Sequence, residues 1–183
     1  MTIRRRLNTY VCGVVMVAAL LVVWLARGSA FGAVHVELLS VLALAGVLII
    51  GELRPIRISH GDGSVDQVTI SSSFSLALVL HGPLAFAVVA QAIATLVDDL
   101  RQRKDVRRII FNQAQYVITL VAARVVYATL AGHGLLHDSR ELRAGEIGPA
   151  LAAAVVFFVV NHVITTVAIA LSLGENPWQR MPV

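Results

Sequence analysis

Charged and apolar positions alternate in long blocks along the chain. Residues 8–26 carry no charge and follow Arg4-Arg5-Arg6. At about 1.5 Å per residue such a helix is about 28 Å long, the thickness of a bilayer's hydrocarbon core. A second apolar run, 31–52, has His35 and Glu37 near its start and ends at Glu52. Arg54-Pro55 stops it, because proline disfavours helical geometry in the residue before it. Residues 54–66 form a polar loop, with turn chemistry at His60-Gly61-Asp62-Gly63. Loose alternation over 65–75 predicts a short extended piece ahead of the next helix.

From Gln67 to Val97 there are 31 residues without Asp, Glu, Lys or Arg. That is too long for one ordinary span and too short for two full ones. His81-Gly82-Pro83 interrupts it, and Gly followed by Pro breaks a helix. A single crossing would put the basic cluster at 101–108 on the opposite side from loop 54–66, against the tendency of cytoplasmic loops to collect Lys and Arg. A hairpin returns the chain to the cytoplasm. The pattern therefore predicts a short helix over 70–81, a turn at 81–83 and a return helix over 84–100. The short arm must be tilted, extended or re-entrant within the bundle. Further helices are expected over 109–131, interrupted only by Arg124, and over 149–173, with a mixed polar loop between them.

Composition moves this from pattern to class. Hydrophobic residues make up 57% of the 183 and charged residues 14%. Ordinary soluble domains hold about 45–50% and 25%. A soluble enzyme core, a disordered chain, a collagen and a coiled coil are excluded. The expected fold is all-α: a single polytopic membrane helix bundle over 1–183, with about six segments and both termini in the cytoplasm. A cleaved secretory signal is the rival for the first segment, with small residues at Gly28-Ser29-Ala30. The run is long for a signal and leads straight into more membrane segments. The net charge of +4 sits in Arg4–Arg6 and in Arg101, Arg103, Lys104, Arg107 and Arg108. These clusters report topology first and anionic headgroup contact second. Nucleic acid is not an expected partner, since no soluble base-reading face exists. Cys12 is the sole cysteine, so neither an internal disulfide nor a Cys metal site can form.

The polar residues inside apolar runs carry whatever chemistry there is. Arg124 is the costliest, at about 2.5–3.5 kcal/mol for a mid-bilayer charge. It faces a ligand or ion in the bundle, or snorkels to the outer interface. Asn161 and His162 sit mid-span and need partners, either across helices or in a ligand- or proton-sensing role. Asn112, Gln115 and Tyr116 share one helical face and could line a polar groove with Gln91 and Thr95. Asp98-Asp99 are expected to pair with the following arginines. His133 and His137 have i,i+4 spacing near Asp138 and Glu141, but Gly132 and Gly134 argue for a loop and two histidines are too few for a metal. No catalytic motif stands in the sequence, and neither an enzyme nor a cofactor is expected. The expected ligand-binding set is Arg124, Asn112, Gln115, Asn161, His162 and Gln91.

Several of these features occur together in an order that resembles a known family. They are Glu52-Leu53-Arg54-Pro55, the Ser-rich helix start at 68–78, His81-Gly82-Pro83, Arg107-Arg108-Ile109-Ile110-Phe111-Asn112-Gln113-Ala114-Gln115-Tyr116 and Val160-Asn161-His162. The stretch from Glu52 to Leu173 resembles the N-terminal multi-helix membrane region of bacterial, often actinobacterial, cyclic-di-GMP signalling proteins. Those carry GGDEF, EAL or HD-GYP domains behind the membrane part. The resemblance implies a sensory input without an assigned ligand. This sequence contains none of the effector motifs, so it implies a stand-alone module or a fragment, neither a cyclase nor a phosphodiesterase. The expected function is a membrane sensory or signal-input module, with a small-solute transporter or its substrate-binding membrane subunit as the alternative. Expected partners are the lipid bilayer, a cytoplasmic signalling domain or protein, a small ligand and a second copy of the chain.

Overall fold

Six helices follow the six apolar runs. The computed structural model describes residues 3–28, 38–54, 56–59, 65–68, 71–136 and 143–176. Its elements are α1 (Ile3–Gly28), α2 (Leu38–Leu53), β1 (Ile56–Ser59), β2 (Val65–Val68), α3 (Ser71–His81), α4 (Leu84–Arg101), α5 (Val106–Ala131) and α6 (Ile147–Leu173), with a 3-10 turn at Ala144–Glu146 before α6. The architecture is an all-α bundle with one small antiparallel ribbon, in which Ile56 pairs with Val68 and Ser59 with Val65. The alternation at 65–75 foretold one extended piece. Its partner strand at 56–59 carried no signal beyond the proline before it. Residues 60–64, where the sequence predicts a turn, residues 29–37, His137 with the rest of 137–142, and residues 177–183 lie outside the described residues.

Three of the helices, α1, α5 and α6, are long and apolar enough to cross a membrane. The surface supports that reading. Met16, Leu20, Leu151, Val155, Phe158 and Leu173 are all exposed, which in water would leave apolar patches larger than a monomer carries. Among the inward-facing positions, alongside larger residues such as Leu48, Leu120 and Phe157, are the small Ala18, Ala94, Ala123, Ala153 and Ala170. Small residues let helix backbones approach closely where no hydrophobic drive separates protein from lipid. α5 is the central helix, packed against α1, α3, α4 and α6, while α2 packs on α3 and α4.

The interruption lies where Gly82-Pro83 predicts it. Gly82 N–H closes α3 on the Leu78 carbonyl at 2.7 Å, and Pro83 stands extended at the N-cap of α4. A Cβ at Gly82 would lie 3.0 Å from that same carbonyl oxygen, so the turn has little room for a side chain. α3 has 11 residues, about 16 Å. The hairpin returns the chain to its starting end. Glu52 at the end of α2, Ser71 at the start of α3 and Asp98-Asp99 near the end of α4 share one neighbourhood. Arg101 donates to the Leu53 carbonyl at 2.8 Å, and Arg107 in α5 bonds Asn8 in α1. We call this the loop end, after the α4–α5 connection of residues 102–105.

That connection is a Schellman close with an unusual residue in it. Arg103 N–H bonds the Leu100 carbonyl at 3.1 Å, and Lys104 N–H bonds the Asp99 carbonyl at 3.0 Å. The motif needs a left-handed residue between them, which is usually glycine. Here it is Arg103, with φ 53°. The left-handed conformation costs an L-residue about 1–2 kcal/mol, partly recovered by glycine's larger unfolded-state entropy. Arg103→Gly should therefore stabilise the fold by about 0.5–1 kcal/mol in a reversible unfolding titration. A loss of stability would show that the Arg103 side chain contributes more than its backbone strain costs.

Candidate functional site

The polar side chains gather in three places. The largest gathering is at the loop end, where α2, α3, α4 and α5 meet. Asp99 is fully buried. It accepts from Lys104 Nζ at 2.7 Å and from Asn112 Nδ2 at 3.1 and 3.2 Å. Asp98 accepts from Gln102 Nε2 at 2.6 Å and lies 3.8 Å from Lys104 Nζ. The expected partners of Asp98-Asp99 were the arginines. The structure corrects this: the Schellman turn folds Lys104 back over the carboxylates.

Glu52 completes the cluster. It is only 5% exposed and feels the charges of Asp98, Asp99 and Lys104. Among the described residues neither its Oε2 nor Ser71 Oγ has a hydrogen-bond partner at standard geometry, although Ser71 lies close enough to interact with the carboxyl. Three carboxylates thus share one ammonium. One helical turn further in, the Ser75 hydroxyl shares its proton between the Ser71 carbonyl and Gln91 Oε1, and Gln91 Nε2 donates to Thr95 at 2.8 Å. Of the groove expected from Asn112, Gln115, Tyr116, Gln91 and Thr95, Asn112 joins the Asp99 network, Gln91 and Thr95 form an adjoining one, Tyr116 lies near Glu52 and Asp98-Asp99, and Gln115 bonds Asn161 of α6 instead. Glu52, Ser71 and Lys104 were missed as members. A glutamate next to a proline-stopped helix end looks like an interface marker, and its burial depends on chain 19 and 46 residues away.

The second gathering surrounds Arg124, which is 2% exposed. Its guanidinium donates to the Val79 carbonyl at 2.8 Å and to the Leu135 carbonyl at 3.2 Å, and lies over the Tyr127 ring at 5.9 Å. Arg124 is a cation at the C-terminal end of α3, where helix carbonyls lack partners. Its side chain is buried against these carbonyls and borders neither of the two cavities described below. Beside it, the Tyr127 hydroxyl donates to Glu146 Oε2 at 2.8 Å, and His133 Nε2 is 3.1 Å from Glu146 Oε1. The Tyr127 bond, with His133 beside it, holds the Glu146 carboxyl below its ordinary value. Folding then favours the charged form. Its contribution is complete above the ordinary glutamate pKa of about 4.3 and is lost as pH falls through the lowered folded value. Lowering the pH from 7 to 3 should reduce the melting temperature, and Tyr127→Phe should shrink that loss. An equal loss in both proteins would remove Glu146 as its source.

The third gathering joins α5 to α6. Gln115 Nε2 donates to Asn161 Oδ1 at 2.5 Å, and Tyr10 of α1 donates to the Ile164 carbonyl at 3.0 Å. His162, one position on, is exposed, with Thr166 at 3.4 Å. Successive helical residues are 100° apart, so Asn161 and His162 cannot both face α5. The six expected ligand residues thus divide among separate places: Asn112 and Gln91 at the loop end, Gln115 and Asn161 at the α5–α6 seam, Arg124 at the α3 terminus and His162 on the outer face. Among the described residues no group of His, Cys, Asp and Glu is placed to hold a metal. No family model matches the chain, and no curated protein or solved structure matches it either, so the resemblance to cyclic-di-GMP input regions rests on the sequence motifs alone.

Proposed function

We propose that the chain is a multi-pass inner-membrane signal-input module, both ends in the cytoplasm, coupled to a cytoplasmic signalling domain or protein. One observation carries the reading. The buried Glu52–Asp98–Asp99 cluster is tied to the basic 101–108 loop by two side chains, Gln102 on Asp98 and the cationic Lys104, which reaches Asp99 and faces all three carboxylates. A change in charge or contact at the cluster is felt directly by the loop that faces the cytoplasm in this topology. Two arrangements are available, with Lys104 on the carboxylates or off them, and a stimulus acts by favouring one. The Arg103 strain fits such an element, because sparsely populated backbone conformations collect at switch regions.

The transporter alternative leans on the broken hairpin, since interrupted helices in transporters present their ends to a solute. Here the α3 terminus is occupied by the protein's own Arg124, which favours the signal-input reading. The test is a chimera carrying a cytoplasmic reporter enzyme behind α6. Lys104→Met should shift basal output about fivefold or more, the lower range of allosteric coupling. A second reporter, placed after Lys104, should read as cytoplasmic. Unchanged output, together with solute uptake into liposomes that Glu52→Gln abolishes, would overturn the reading in favour of transport.

A further inference from the structure

A cavity of about 540 Å³ lies between α1, α5 and the end of α6, within the usual size range of small-molecule sites. Its loop-end wall holds Lys104, Arg107 and Arg108, with Asp105 the single carboxylate among them. Further along the helices the wall turns apolar, with Val11, Phe111, Ala168 and Ile169. Asn112, Thr165 and Ser172 add neutral polar groups. Arg107 also borders a shallower groove of about 750 Å³ that runs along Val15, Met16 and Ala19 of α1. Charge at one end and apolar wall at the other is the profile of an amphiphile.

The three cations are not equivalent. Lys104 is engaged by Asp99, and Arg107 by Asn8. Arg108 is exposed and makes no side-chain hydrogen bond or ion pair with any described residue. It remains available to an anion. We propose that this cavity binds an anionic phospholipid, its phosphate held by Arg107 and Arg108 and its acyl chain lying along the apolar wall of α1 and α6. The membrane orientation rests on the signal-input reading. The binding itself rests on the cavity.

The site has a consequence for the acidic cluster. Lys104 and Asn112 both line the cavity and both bond Asp99. A phosphate in the cavity competes with Asp99 for the Lys104 ammonium. Headgroup occupancy would then loosen the tie between cluster and loop, which makes the lipid a ligand of the switch rather than solvent around it.

The experiment uses the full chain in phosphatidylcholine nanodiscs, with phosphatidylglycerol added as the probe and bound lipid counted by native mass spectrometry. Phosphatidylglycerol should be retained over phosphatidylcholine. Arg107→Gln/Arg108→Gln should weaken that retention about 25-fold, on the order of fivefold for each cation removed near an anionic surface. Arg4→Gln/Arg5→Gln removes the same charge outside the cavity and should weaken it far less. Equal weakening by both pairs, or no preference over phosphatidylcholine, overturns the site. Inorganic phosphate alone should not displace the lipid; displacement at equal concentration would show that the apolar wall is unused and overturn the amphiphile. A circular-dichroism melt of each variant confirms that lost retention is not lost folding. If the lipid binds while loop 102–105 is unmoved, the site stands and the switch reading fails.

Discussion

Arg124→Ala should lower the stability of the bundle by about 2–4 kcal/mol, the largest loss expected from one substitution in this chain. The guanidinium joins the Val79 carbonyl at the end of α3 to the Leu135 carbonyl beyond α5. Hydrogen bonds to a charged group contribute about 1.5–3 kcal/mol each, and removing the donor strands both acceptors away from water. The total is discounted because an unfolded chain in the membrane lets arginine snorkel. Arg124→Met keeps most of the volume and loses the donors, so it should fall near alanine. Arg124→Lys keeps the charge without the planar fork and should recover about half. Thermal unfolding in detergent measures all three. If Met matches wild type, the residue is filler at the helix break and its hydrogen bonds contribute nothing.

The second large effect is expected at Asp99. It is fully buried and accepts from both Lys104 and Asn112. Asp99→Ala leaves Lys104 facing one weaker partner at 3.8 Å and leaves Asn112 Nδ2 without its acceptor. Breaking a buried, hydrogen-bonded charge pair from one side costs about 3–5 kcal/mol. Lys104 is partly exposed, so about 2–3 kcal/mol is the figure to expect. The damage should be local: limited proteolysis should cut within 101–108 in the variant and leave 110–131 intact. Cleavage spread evenly along the chain would mean that Asp99 supports the whole bundle and not the loop.

These two residues also show what the sequence could and could not reveal. The helices, the break at Gly82-Pro83 and the hairpin's return were legible because each follows from a local cause. A run of apolar residues, a Gly-Pro pair and a basic loop act over a few positions. Arg124 was legible as a residue needing a partner, but its partner lies 45 residues back in the chain, at a helix end created by the break. Glu52 was hidden for the same reason. Nothing near it in sequence tells that Ser71 and Asp98-Asp99 close over it. Asn161 and His162 were legible only as polar residues that need partners. α6 is apolar on every side, so its sequence names no inward face, and only packing against α5 decides that Asn161 meets Gln115.

Lys104 is the residue on which the proposed coupling depends, and backbone amide hydrogen exchange over 102–104 reads it directly. These N–H groups bond Asp98, Leu100 and Asp99 carbonyls, so they report whether the turn is closed. In nanodiscs, Lys104→Met should raise their exchange about tenfold, the equivalent of about 1.4 kcal/mol, while the amides around Gly82 stay as protected as in wild type. Exchange that is the same in both proteins would show that the turn holds itself closed without the acidic cluster, and that the loop and the buried carboxylates are not coupled.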